Sequence, residues 1–297
     1  MYADLVLELK ADRAPVAAVD AATLVLVRSG AGGGVELFCV QRSRQSRFMG
    51  GAIVFPGGKL EGSDAHPEWT LLTTPARLPE RGTVPFAGSD AHFRALAVAG
   101  ARETLEEAAI LHVHGGTVEP EDLLALRRQL ETSPDALRAF LSRRRLRLDL
   151  AVLHPLARWL TPEAESRRFD ARFFLAIAPE SQPGAHDERE TMASFWASPA
   201  ELLRRFEAGE VQLMPPTHRT IALLEDCETT GAVLAKADAS NLDPICPRLV
   251  SHQDAQDQTM ALALPGDPEH ELRDARVPGK SRFVLRGDRW VPEDPPR

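Results

Sequence analysis

With 43 acidic against 35 basic side chains, the 297-residue chain carries a formal net charge of −8, the wrong sign for a protein that grips nucleic acid through its phosphates. That length allows one large domain or two small ones around a substantial buried core. Cys39, Cys227 and Cys246 are odd in number, widely spaced and without a C-x-x-C pair, the usage of a reducing compartment with no structural zinc site.

The chain opens without a basic-then-apolar leader, and no apolar run approaches a membrane span. Two apolar, β-branched runs, Ala21 to Val27 and Val35 to Val40, flank Gly30-Ala31-Gly32-Gly33-Gly34 and predict a hairpin with a glycine tip. Ala52-Ile53-Val54-Phe55 reads as a short strand that Pro56-Gly57-Gly58 stops sharply. Residues 62 to 92, rich in Pro, Gly and Thr, read as irregular, and a helix is predicted from about Phe93 to Ala109. Between Pro120 and Arg147 two amphipathic stretches follow, with Leu123, Leu126, Leu130, Leu137 and Leu141 as core positions. Arg143, Arg144, Arg145 and Arg147 cluster there as a solvated helix end.

Further on, Phe169 to Ala178 and Ser194 to Ala197 predict strands. Ser198-Pro199-Ala200-Glu201 has the form of a capping box and starts a helix through Leu202, Leu203 and Phe206. Thr217 is read as the cap of another helix carrying Ile221, Leu223 and Leu224. Met260 to Leu264 and Phe283 to Leu285 read as late strands, and Arg286 to Arg297 as a loose, proline-rich tail. Pro295-Pro296-Arg297 is not a peroxisomal address, so the expectation is a cytoplasmic protein without nucleic-acid or membrane partners. Oligomeric state is left open. Strands interleaved with helices predict an α/β layered domain.

One segment carries chemistry. In Arg102-Glu103-Thr104-Leu105-Glu106-Glu107-Ala108 the three glutamates stand at i, i+3 and i+4, so a helix places their carboxylates on one face. Such a face repels itself unless a cation gathers it, and oxygen-only ligands suit a hard ion such as Mg2+ or Mn2+. Arg102 is placed to pair with one carboxylate and leave the others to the metal. A solvated, Glu-rich helix would carry the same letters; the strand and glycine turn of residues 52 to 58 are what set this one apart, since glycines let backbone approach a phosphate or metal.

Together, Phe55-Pro56-Gly57-Gly58-Lys59-Leu60-Glu61-Gly62 and Arg102 to Ala108 resemble the two halves of a Nudix box. Gly58 matches its first glycine, Asp64 stands where its first Glu belongs, and Arg102, Glu103, Glu106, Glu107 and Ile110 match the second half. About 30 extra residues separate Asp64 from Arg102, a tolerable excursion because loop entropy grows slowly with length. Ala109 replaces the last glycine, at a cost of about 1 kcal/mol if the backbone there is left-handed. An interrupted box is similar to that of the long Nudix enzymes typified by mammalian peroxisomal coenzyme A diphosphatase. The likeness runs through Arg47-Phe48-Met49 to Trp69, Trp159-Leu160-Thr161-Pro162, Arg168-Phe169-Asp170, Phe173-Phe174-Leu175, Pro215-Pro216-Thr217 and Leu264-Pro265-Gly266-Asp267. It covers the chain from about residue 20 to residue 268.

This resemblance implies an α/β/α Nudix sandwich with a mixed sheet, here as a single domain over 1–297. It would carry a box insertion at about 65–92, a helical addition at about 115–160 and the loose tail from 286. Metal-dependent hydrolysis of a diphosphate in a small molecule is the implied activity, with Glu103, Glu106, Glu107 and the Gly58 carbonyl as metal ligands. Glu103 and Arg102 would serve catalysis, with Glu190 as general base and Glu188 its neighbouring option. Arg42-Ser43, Arg47, Gly51 and Phe55-Pro56-Gly57-Gly58 reproduce the R-S-x3-R-x3-G-x3-F-P-G-G spacing upstream of the box in coenzyme A diphosphatases, although Phe38-Cys39-Val40 replaces its opening Leu-Leu-Thr. Arg42, Arg47 and Gly57 are therefore expected at the substrate, the arginines as phosphate clamps. Coenzyme A or its thioesters come first; another nucleoside diphosphate conjugate (ADP-ribose, NADH, a dinucleotide) or a non-catalytic Nudix-fold binding module remain open.

Overall fold

The structure is a computed structural model that describes residues 16–42, 51–77, 84–184, 191–253 and 258–295. At its centre is the strand Val19–Ser29, buried on both sides. Leu24 and Leu26 enter one core, Val25 and Val27 the other, as the two-residue period of a strand requires. This strand pairs antiparallel with Val35–Arg42 through the predicted hairpin (Val27 opposite Leu37) and runs parallel to Phe169–Ile177 over nine residue pairs. Ala52–Val54 and Thr191–Ala197 both flank Val35–Arg42, and His154–Leu160 lies antiparallel to Phe169–Ile177. Short strands at Gln212–Leu213 and Pro244–Ile245 complete a mixed nine-stranded sheet.

Helices cover both faces. On one lies Asp90–Ala108, backed by Pro120–Leu130 and Ala136–Arg144. Ala97, Ala99 and Ala101 of this helix are buried in the core on that face. Gly100 faces the central strand, where a Cβ would make ordinary contact with that of Ala22 at 3.6 Å. Helices Pro199–Glu207, Pro215–Leu223 and Thr230–Asp238 cover the other face, joined by a four-stranded antiparallel sheet formed from Arg248–Gln253, Gln258–Ala263, Arg282–Arg286 and Arg289–Glu293. A mixed sheet between helical layers is the α/β architecture expected.

The excursion between the box halves is pinned by its aromatics. Trp69 and Phe86 are buried, and Phe86 meets Phe174 edge-on at 5.2 Å between ring centres. Trp69 donates its indole N–H to the Ser63 carbonyl at 2.8 Å. The helical addition closes sooner than expected: pairing of Val113–His114 with Arg147–Leu148 brackets its two helices, and from His154 the chain is already main sheet.

Three expectations need correction. Gly57–Lys59 does not turn away after Pro56 but adds a short strand to Val19–Ser29, with Gly58 opposite Ala22. Thr217 lies buried inside its helix and does not cap it, because Pro215 and Pro216 fill the first turn, where their missing N–H groups cost nothing, and Met214 is the cap. The tail is not loose over its whole length. Residues 289–293 form an edge strand whose Trp290 is buried, and Arg286 and Glu293 are ion-paired at 2.7 Å across the hairpin. Pro292 is tolerated because the strand is at a sheet edge.

Candidate active site

Pairing with the central strand holds the glycine strand under the C-terminal half of the helix Asp90–Ala108. Both glycines are required by close approach. A Cβ on Gly57 would lie 2.6 Å from the Ala22 carbonyl oxygen, and one on Gly58 would lie 2.3 Å from Glu103 Oε1. The Glu103 carboxylate thus rests directly on the Gly58 backbone, and the Gly57 N–H donates to Glu107 Oε2 at 3.1 Å. These contacts join the two box halves that lie far apart in sequence.

Arg102 organises the carboxylates. Its Nε and Nη2 donate to both oxygens of Asp64 at 2.9 and 3.0 Å, Nη2 also to the Lys59 carbonyl, and Nη1 to Glu103 at 2.8 Å and more weakly to Glu106 at 3.4 Å. The expectation that it pairs with one carboxylate and leaves the others free is not met: Asp64 takes two of its N–H groups, and Glu103 and Glu106 share a third nitrogen. Asp64 is 2% exposed, and its position is fixed in turn by the Glu61 N–H at 2.9 Å within a 3-10 turn over Gly62–Ala65. Box spacing marked Asp64; what sequence reasoning missed is its two-oxygen grip on the guanidinium, a contact across 38 residues that no local signal carries.

The electrostatics follow from three carboxylates, those of Asp64, Glu103 and Glu106, sharing one guanidinium. Burial pushes the Glu103 carboxyl up to about 7; Arg102 opposes that rise and Glu106 adds to it. Glu106 is raised as well, by burial first, with Arg102 opposing. Burial works against the charge on Arg102, yet its hydrogen bond to Asp64 and the surrounding carboxylates hold it above the usual arginine range. A half-buried carboxylate that stays partly protonated at neutral pH is short of positive charge.

That shortage suits a divalent cation, and the donors are all hard oxygens. Among the described residues no three acidic, His or Cys side chains converge as a finished cage; Arg102 instead occupies oxygens of Glu103 and Glu106, and the Gly57 N–H one of Glu107. In charge and donor type the residues fit the ion.

Of the other expected site residues, Glu190, Glu188 and Arg47 lie outside the described residues. Arg42 ends its strand with its backbone paired to Thr191, which places the ends of both strands beside each other.

A mixed sheet between helices, with a glycine strand closed against an acidic helix, defines a Nudix hydrolase domain. A family model of the NUDT19 Nudix domain matches residues 15–224, and the chain belongs to that family. Similar relatives include the acyl-coenzyme A diphosphatase NUDT19 of Gallus gallus, 30% identical over 296 residues that cover 86% of this chain and 78% of that one. Its Homo sapiens counterpart is 32% identical over 223 residues, 62% of this chain and 58% of the relative. Among solved structures, a NUDIX hydrolase from Alicyclobacillus acidocaldarius superposes with a TM-score of 0.63 at 31% identity, covering 74% of this chain and 96% of that one. Nudix hydrolases generally use divalent metals. No helix among the described residues is long and apolar enough to cross a membrane.

Proposed function

We propose that the protein hydrolyses the diphosphate of coenzyme A or an acyl-coenzyme A, yielding 3′,5′-ADP and (acyl-)4′-phosphopantetheine. The observation that carries the chemistry is the Glu103 carboxylate seated on Gly58 while Asp64 anchors Arg102. Support for the substrate comes from the Arg42 to Gly58 spacing and from relatives that are named as acyl-coenzyme A diphosphatases.

In this reading Glu103, Glu106, Glu107 and the Gly58 carbonyl hold Mg2+ or Mn2+. Once bound, the ion would neutralise phosphate charge and lower the pKa of a water. Oxygen from water bonds to one phosphorus as the bridging P–O bond breaks, and its electron pair leaves with the other phosphate. The released proton goes to a carboxylate base, Glu190 or its neighbour Glu188. Arg102 positions the glutamates, Arg42 and Arg47 clamp phosphate oxygens, and Gly57 keeps the floor of the site free of side chain.

The test is product analysis by mass spectrometry with coenzyme A, acetyl-coenzyme A, ADP-ribose and NADH, in Mg2+ or Mn2+ and again in EDTA. Wild type is expected to release 4′-phosphopantetheine from coenzyme A only with metal, and Glu107→Gln to lose at least about 100-fold, the scale of a removed charge-stabilising group. Cleavage of ADP-ribose or NADH alone would keep the reaction and overturn the substrate. Silence on all four would favour a binding module.

A further inference from the structure

A second cavity, of about 540 Å³, opens on the sheet face opposite the box helix. Its wall is apolar, with Leu156, Trp159 and Ile245 from the second core and Leu223 and Val277 packed against them. Set into that wall is Arg219, only 5% exposed. Among the described residues no carboxylate pairs with it. It donates Nη2 to the Lys280 carbonyl and stacks 4.9 Å over the Phe283 ring, while its Nε–H is buried with no acceptor. Arg276 lines the same cavity and, among the described residues, donates only to the Pro244 carbonyl.

A guanidinium taken out of water normally finds a carboxylate, because an uncompensated buried charge is costly. Here a carbonyl and an aromatic face offset part of that cost, and a donor remains over. Burial lowers the Arg219 pKa to about 10, which still leaves the group charged at neutral pH. In a chain with net charge −8, two arginines without acidic partners at one apolar hollow are not surface noise. A pocket of this volume, mostly apolar with a few convergent polar groups, has the make-up of a small-molecule site.

We propose that this cavity binds an anion with an apolar body, its carboxylate or phosphate head held by Arg219 with Arg276 beside it and its body against Leu156, Trp159 and Leu223. Neither the box nor its metal takes part. The planar guanidinium matches the two oxygens of a carboxylate.

Thermal melting and calorimetric titration of the full chain in EDTA test this, with octanoate, octyl phosphate, octanol and acetate as probes. Octanoate or octyl phosphate should raise the Tm by about 3 °C at tenfold excess over its Kd, and the stronger of the two identifies the head group. Octanol and acetate, each lacking half of the pharmacophore, should leave it unchanged. Arg219→Gln should weaken anion binding at least about tenfold, the scale of one charge-assisted hydrogen bond. Because Arg219 also braces Lys280 and Phe283, Leu223→Trp serves as the second variant: it fills the hollow, keeps the arginine and should abolish binding in a protein with wild-type circular dichroism. An equal response to octanol, or octanoate binding undiminished in Leu223→Trp, would overturn the proposal, as would no response to either anion.

Discussion

Gly57 and Gly58 sit side by side, yet a methyl group added to each meets a different kind of atom. On Gly57 it meets the Ala22 carbonyl at 2.6 Å and Thr23 Cα at 2.8 Å, backbone that cannot yield without moving the central strand. On Gly58 its nearest contacts all belong to the Glu103 carboxylate, which can swing aside. Gly57→Ala should therefore cost roughly 2–3 kcal/mol of stability, the scale of forced overpacking. Gly58→Ala should melt near wild type but lose about 100-fold in turnover, as a displaced catalytic group does. Paired urea titrations and hydrolysis assays would show the split, and equal losses of stability in both would refute it. Asp64 supplies a third case. Its side chain and that of Arg102 are 2% and 6% exposed, so Asp64→Ala removes the two-oxygen partner of a buried guanidinium, leaves its Nε–H without an acceptor and should cost about 3 kcal/mol. Arg102→Met in the Asp64→Ala background should recover part of that loss, since both charges are then gone; unfolding midpoints of the two variants decide it. The glutamates of this site were legible from helical spacing and box letters. The Asp64 grip and the Lys59 carbonyl were not, because contacts across 38 and 43 residues follow from how the excursion folds back.

At the scale of elements, local signals worked wherever they were strong and failed where two competed. The helix Asp90–Ala108 ends on Ala109, which adopts φ 52° and ψ 40°, the left-handed conformation in which a side chain is strained. Arg145 ends its helix the same way at φ 56°. Both substitutions to glycine should stabilise, Arg145→Gly by about 1 kcal/mol and Ala109→Gly by about half that, because Ala109 is buried and gives up its methyl contact. A urea midpoint lower than wild type in Arg145→Gly would show that the left-handed cap carries no strain. The same competition explains the misplaced start at Thr217. A threonine before an apolar stretch resembles a cap, but prolines at 215 and 216 already occupy the first turn. It also explains the tail, where Pro292, Pro295 and Pro296 suggested looseness, but burial of Trp290 holds residues 289–293 as a strand. By contrast, the opening hairpin, the strand Phe169–Ile177 and the helix after Ser198 were plain, since periodicity and turn chemistry agreed there.

Across the whole molecule, His218 is a point of contact between the two sheets. Its ring lies edge-on between Phe206, on a helix against the main sheet, and Phe283, in the four-stranded sheet, at 5.0 and 5.4 Å. The side chain is buried, and among the described residues its Nδ1 has no hydrogen-bond partner. Burial, helped by the neighbouring charge of Arg219, drives its pKa down to about 4 from 6.5. The sign follows from proton counting. Between these two values the unfolded chain holds a proton on this imidazole and the folded chain does not, so acid favours unfolding. The contribution is intact above the unfolded pKa and is lost as pH falls from 6.5 toward 4. Going from pH 7 to pH 5 should thus remove about 2 kcal/mol through this one group, at about 1.4 kcal/mol per pH unit traversed. Other groups titrate in the same interval, so the measurement is a difference: urea unfolding at both pH values for wild type and His218→Phe. The phenylalanine keeps the ring between its neighbours and has no proton to take up. Its stability should fall by about 2 kcal/mol less than that of wild type over the interval, and equal losses would remove His218 as the acid-sensitive link between the sheets.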